Sequence, residues 1–190
     1  MYQARRPDAE KPAVRWLPFQ LNPDLPEAGV PRKAYLESKF GPGHSYARVL
    51  DVGRDVGIAF AFDRITVQPN TLQAHRLMRY GGTQSREDAV AEQLFHAYFL
   101  EGANLADHAV LAGVGERAGL DRASVAAYLA SEDGREDVLQ ADRDARQAGI
   151  NAVPCFLFNR RTTVSGAQAP DTLLQAMLDA SPPPHPRLRP

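Results

Sequence analysis

The stretch that most constrains this chain is Gly149–Gln168, GINAVPCFLFNRRTTVSGAQ. A glycine suited to stopping a helix leads through a Val153-Pro154 step into a short apolar run, Cys155-Phe156-Leu157-Phe158. A polar turn, Asn159-Arg160-Arg161, separates that run from a β-branched one, Thr162-Thr163-Val164, which Gly166 ends. Pro170 then suits the first turn of a helix. The pattern predicts helix, loop, β-hairpin, loop and helix. Proline fixes φ and offers no N–H, so at a strand entrance it marks a turn or an exposed backbone edge. An X-Pro bond is cis only about one time in twenty in folded proteins, and where it occurs it commonly serves function.

The chain before this unit changes period twice. Val14–Leu21, VRWLPFQL, alternates and predicts a strand with Val14, Trp16 and Phe19 inward, its length limited by Pro18. Asn22–Pro26 is a proline-rich connection. From Pro31 the spacing is helical, with helices expected at 32–40, 46–56, 71–80, 86–100, 107–111, 124–130 and 136–148. Asn70, Ser85 and Asp121 stand where N-caps belong, and Gly41, Gly57, Gly81-Gly82, Gly102, Gly119 and Gly149 where stops belong. The expected division is therefore 1–30, a helical block at 31–148, the hairpin and last helix at 149–180, and a disordered polyproline-type tail at 181–190.

Composition excludes several classes of function. A formal charge of −1 gives no excess of either sign to draw in nucleic acid or an anionic membrane. No apolar run approaches the roughly 20 residues a bilayer span needs, and residues 1–13 carry no signal-like apolar stretch. One cysteine supplies no internal disulfide, no cysteine-based zinc site and no CxxC pair. The expected compartment is cytoplasmic. His75, His96 and His108 fall on different predicted helices without metal-ligand spacing, so no metal is expected. Gly113-Val114-Gly115 follows a helix instead of a strand, which rejects a nucleotide-binding turn. Cys155, on an apolar strand, reads as a small core residue.

Six short stations, VRWLPFQLNPDLP (14–26), YLESKFG (35–41), PNTLQAHRL (69–77), LFHAYFLEG (94–102), GINAVPCFLFN (149–159) and VSGAQAPDTLLQAM (164–177), together resemble the DsbA-like, FrnE-like branch of the thioredoxin-fold oxidoreductases. That branch is related to the 2-hydroxychromene-2-carboxylate isomerases. The resemblance covers nearly all of residues 14–180. It implies an α/β, thioredoxin-like fold with an inserted all-helical domain, in which Val153-Pro154 corresponds to the cis-proline step. In the family the backbone before that proline pairs with an extended substrate or with glutathione. Val153 and Pro154 are thus the expected substrate-binding pair. Asn70 and Gln168 are further substrate-facing candidates, against simpler roles as a helix cap and a loop-stabilising hydrogen bonder.

The family pattern also contains a first strand and a helix that begins with CxxC, or with serine in the isomerase relatives. A helix N-terminus favours a thiolate at that position. No such segment stands in this sequence. Roughly 25–30 residues, a strand, a helix start and loops, are expected to be absent. The resemblance therefore implies a thiol–disulfide oxidoreductase in truncated or inactive form, with no catalytic residue in this chain. The alternatives it implies are a glutathione-dependent isomerase, with glutathione as cofactor, and a non-catalytic peptide-binding protein. The expected partner is a thiol- or disulfide-bearing protein or small molecule.

Overall fold

A computed structural model describes residues 1–7 and 11–181. The chain divides into two compact units, Trp16–Arg143 and Met1–Arg15 with Asp144–Pro190. The first holds most of the expected helical block together with residues 16–30. Nearly all of the tail expected at 181–190 lies outside the described residues.

The larger unit is built on helices α4 (Leu72–Thr83), α5 (Glu87–Phe95), α6 (His108–Arg117) and α7 (Arg122–Ala130). Leu77, Val90, Ala97, Leu111, Val114 and Val125 are wholly buried between them. Apolar residues at helical spacing can satisfy their backbones locally and still present one stripe to a common core. Inside α6, a Cβ at Gly115 would stand 2.9 Å from Val125 and 3.4 Å from Leu77, so this glycine lets α6 approach its neighbours closely. Gly113 and Gly115 lie within a helix and form no phosphate loop. Asp107 and Asp121 cap α6 and α7, accepting from the N–H groups of Ala109 and Ser124 at 2.7 Å.

Four sequence expectations need correction here. Val14–Leu21 is not a strand: no described strand runs beside it, and Val14, Leu17 and Leu21 are exposed. Pro18 has no N–H to give a ladder, and the segment is held instead by Trp16 Nε1 donating to Asp88 at 2.7 Å and the Gln20 N–H donating to Asp142 at 2.7 Å. Gly81-Gly82 does not stop α4, which runs on to Thr83. A Cβ at Gly81 would lie 2.7 Å from Val90, so this glycine admits a neighbouring side chain. Ser85 does not cap α5: it has φ 57°, and no side chain caps that helix. The helical block also contains one sheet rung, β1 (Val30–Pro31) antiparallel to β2 (Val67–Gln68). That rung continues through the Arg32 N–H to the Thr66 carbonyl at 2.9 Å and fixes the start of α2 (Arg32–Phe40).

Helix α3 (Ala47–Asp55) precedes an aromatic patch in which Phe62 stacks on Tyr46 and Phe60 at 4.3 and 4.9 Å. The expected helix over 86–100 is helical throughout but changes pitch, α5 passing into one π turn at His96–Leu100. Helix α8 (Arg135–Gln147) begins in the larger unit and ends in the smaller.

Two arginines that no sequence pattern singled out organise the larger unit. Arg76 is 1% exposed. Its guanidinium donates to the carbonyls of Tyr128, Leu129, Ser131 and Asp133 and to Gln73 Oε1 at 2.7–3.1 Å. These carbonyls lie in the last turn of α7 and just beyond it, where a cation is also favoured by the helix dipole. Arg32, 8% exposed, is the second.

In the smaller unit, β3 (Cys155–Phe158) pairs antiparallel with β4 (Thr162–Ser165) and α9 (Pro170–Ala180) packs along β4. The short helix α1 (Tyr2–Arg5) belongs here, and Tyr2 Oη lies 2.9 Å from Ser181 Oγ.

Candidate functional site

Helix α8 ends where Gly149, at φ 84°, turns the chain out of the helix, a backbone region that glycine enters without a Cβ penalty. The Ile150 N–H returns to the Ala145 carbonyl at 3.0 Å and closes the last turn. Asn151, Ala152, Val153 and Pro154 are then all exposed. The Val153-Pro154 peptide bond is cis.

The hairpin fixes this step from the other side. Phe158 faces Thr162 across a turn whose central residues, Asn159 and Arg160, have φ 48° and 57°. Two left-handed residues make the primed turn that suits the twist of paired strands, and asparagine tolerates that region. Asn159 Nδ2 also donates to the Ala180 carbonyl at 3.0 Å, tying the turn to the end of α9. From there the register runs to Cys155 opposite Ser165, and the Gly166 N–H donates to the Pro154 carbonyl at 2.8 Å. Pro154 is therefore held by its carbonyl and has no N–H to offer.

Val153 is the first residue past the ladder. Among the described residues, neither its N–H nor its carbonyl enters a backbone hydrogen bond. The residue is 41% exposed. An adjacent donor and acceptor left unpaired beside a strand start can be completed by an incoming extended segment.

The other candidates occupy different settings. Gln168 is exposed and donates through Nε2 to the Ser165 carbonyl at 3.1 Å, bracing the loop that follows β4. Asn70 belongs to the larger unit and is 7% exposed. Its Oδ1 accepts from the Leu72 N–H at 2.9 Å while Nδ2 donates to the Leu25 carbonyl at 2.7 Å. The N-cap position of α4 is Thr71, one residue after the expected Asn70, but the Asn70 side chain still takes the first helical N–H while clasping the Asn22–Pro26 connection. Val153, Pro154 and Gln168 share the smaller unit.

Cys155 is half-buried. It alternates with Phe156 and Phe158, whose rings stack at 6.5 Å on the opposite face of the strand. The chain's single thiol has no second cysteine to pair with. Among the described residues, no group of three histidine, cysteine or acidic side chains could hold a metal ion. Burial pushes the pKa of His75 down, against its bond to the Phe19 backbone and the charge of Asp142. Among the described residues, no helix is long and apolar enough to cross a membrane.

Residues 2–178 match the family model of the DSBA-like thioredoxin domain. The chain is 26% identical over 171 residues to the uncharacterized protein YwbO of Bacillus subtilis (strain 168), a match spanning 87% of this chain and 81% of that protein. Its fold is similar to the crystal structure of a probable DsbA oxidoreductase from Streptomyces coelicolor, with a TM-score of 0.74 and 26% identity. That likeness covers 85% of this chain and 72% of the other. The thioredoxin-like α/β fold expected from the sequence is therefore the fold of this protein, and the chain belongs to the DsbA-like thioredoxin domain family.

Proposed function

We propose that this protein serves thiol–disulfide chemistry as a docking module, holding an extended cysteine-bearing segment of a substrate against the Val153 backbone. The observation that carries this reading is the free donor and acceptor of Val153, placed beside a carbonyl already locked by Gly166. Membership in the DsbA-like family supports a thiol or disulfide substrate. A full oxidoreductase cycle needs one thiolate to attack a disulfide and a second thiol to resolve the mixed disulfide. This sequence has one cysteine, so it supplies no such pair.

The test uses the full chain and an extended peptide whose single cysteine is S-methylated, so that binding is read without exchange. Binding is expected, and Val153→Pro, which removes one N–H, is expected to weaken it by about 1 kcal/mol, roughly fivefold. Unchanged affinity in a variant with native circular dichroism would overturn the reading. The protein alone is also expected to leave the rate of insulin-disulfide reduction by dithiothreitol unchanged. Acceleration would contradict the assignment of a docking role. Displacement of the peptide by glutathione would move the reading to a glutathione-dependent isomerase.

A further inference from the structure

We propose that Arg32 is the centre of a carboxylate-binding site in the larger unit, formed with Gln68, Tyr46 and Tyr98. Arginine carries five N–H donors and a charge it does not lose. Arg32 Nη1 donates to Gln68 Oε1 and to Tyr98 Oη, each at 2.7 Å, and Nη2 donates to Tyr46 Oη at 2.6 Å. Every one of these acceptors is neutral. No ion pair among the described residues includes Arg32. Its Nε is buried and has no hydrogen-bond partner.

A buried cation without an anion is costly, and so is a buried donor without an acceptor. The rings of Tyr46 and Tyr98, 5.5 and 5.8 Å from the guanidinium carbon, ease the charge but leave its N–H groups unused. Arg76 shows how this chain satisfies a buried guanidinium when it acts only as a brace: every nitrogen reaches an oxygen.

The phenols add to the surplus of donors. Both hydroxyls accept from Arg32, and no described group accepts their own protons in return. Burial raises the pKa of Tyr98 despite the opposing charge of Arg32, which keeps this phenol a neutral donor. Two O–H groups, the Nε–H and the second N–H of Nη2 therefore surround one positive charge. A carboxylate brings two oxygens with about four lone-pair sites and the planar geometry that matches a guanidinium edge. Phe62 stacks on Tyr46 at 4.3 Å and Phe99 meets Tyr98 edge-on at 5.0 Å, which favours an acid with an apolar body. Tyr46 follows the exposed segment 42–45, the side from which such an acid would reach Arg32.

The test follows the side-chain Nε–H resonance of Arg32 in the full-length, ¹⁵N-labelled protein during titration with sodium butyrate, with sodium chloride at matched ionic strength. A short peptide with a free C-terminus and its amidated form distinguish a peptide carboxylate from a free organic acid as the source. A saturable shift with butyrate or the free-acid peptide, absent with chloride and with the amide, is expected. The double variant Y46F/Y98F keeps the cation and removes both hydroxyl donors, and is expected to bind at least about tenfold more weakly. Arg32→Met is expected to abolish carboxylate-dependent thermal stabilisation. Should that variant not fold, the tyrosine variant decides. An equal response to chloride, no saturable response, or unchanged affinity in Y46F/Y98F would each overturn the proposal. None of these results depends on Val153.

Discussion

Replacing Arg76 with methionine keeps most of the side-chain volume and removes the guanidinium donors from the end of α7, leaving only those of Ser131. Six hydrogen bonds are lost, five of them to the carbonyls of Tyr128, Leu129, Ser131 and Asp133. Their full sum would overstate the effect, because water can replace part of the fan. Leu129 is 1% exposed, so its carbonyl loses its charged donor with little chance of hydration; Tyr128 and Ser131 are only half-buried, and Asp133 is exposed. A buried acceptor left unsatisfied costs about 1–3 kcal/mol, and the half-buried ones add less each. The expected destabilisation is about 3–5 kcal/mol, a large share of the roughly 5–15 kcal/mol that holds a domain together. Arg76→Lys keeps the charge but not the planar fan, and should fall between the two. Urea unfolding read by far-ultraviolet circular dichroism and tyrosine fluorescence gives both values. A loss below about 1 kcal/mol for Arg76→Met would refute the view that this arginine caps α7 from the core.

Other outcomes follow from single contacts. Asp107→Ala removes the acceptor for the Ala109 N–H and should cost about 1 kcal/mol in the same unfolding assay, whereas Asp107→Asn should cost much less. His75 has a folded-state pKa held below its ordinary value of 6.5 by burial, so near and below that pH the unfolded chain binds the extra proton. Stability should therefore fall as pH drops below about 6.5 and level off beneath the folded-state pKa, and His75→Gln should flatten that slope.

The local signals in the sequence located most elements whose ends are set within a few residues. The α2 boundaries, Arg32–Phe40, follow from the helical spacing after Pro31 and the glycine at 41. The hairpin follows from two β-prone runs around a polar turn, and α9 from its first-turn proline. Val14–Leu21 misled because alternation reports which side chains could share a face, and a strand also needs a partner ladder. Gly81 read as a helix stop in the sequence, yet it lies inside α4 as Gly113 and Gly115 lie inside α6, and at 81 and 115 a neighbouring side chain leaves no room for a Cβ.

Site residues divide in the same way. Proline chemistry marked Val153-Pro154 as a turn before a strand, but its reading as a cis, substrate-facing step came only from the family resemblance. Asn70 was legible as a residue of the α4 start, one position before the actual N-cap Thr71, but its second bond, to the Leu25 carbonyl 45 residues away, was not. Arg32 and Arg76 were invisible as buried groups. An arginine on a helix reads as solvated until its partners, carbonyls more than 50 residues distant for Arg76, are brought to it by the fold.

The most direct measurement is the backbone amide resonance of Val153 in the full-length protein during titration with the S-methylated cysteine peptide. A hydrogen bond completed on the free Val153 edge should shift that amide saturably, with the shift and the affinity measured calorimetrically giving the same dissociation constant. Saturable binding that leaves the Val153 amide unmoved would contradict the assignment of this backbone as the substrate-docking edge.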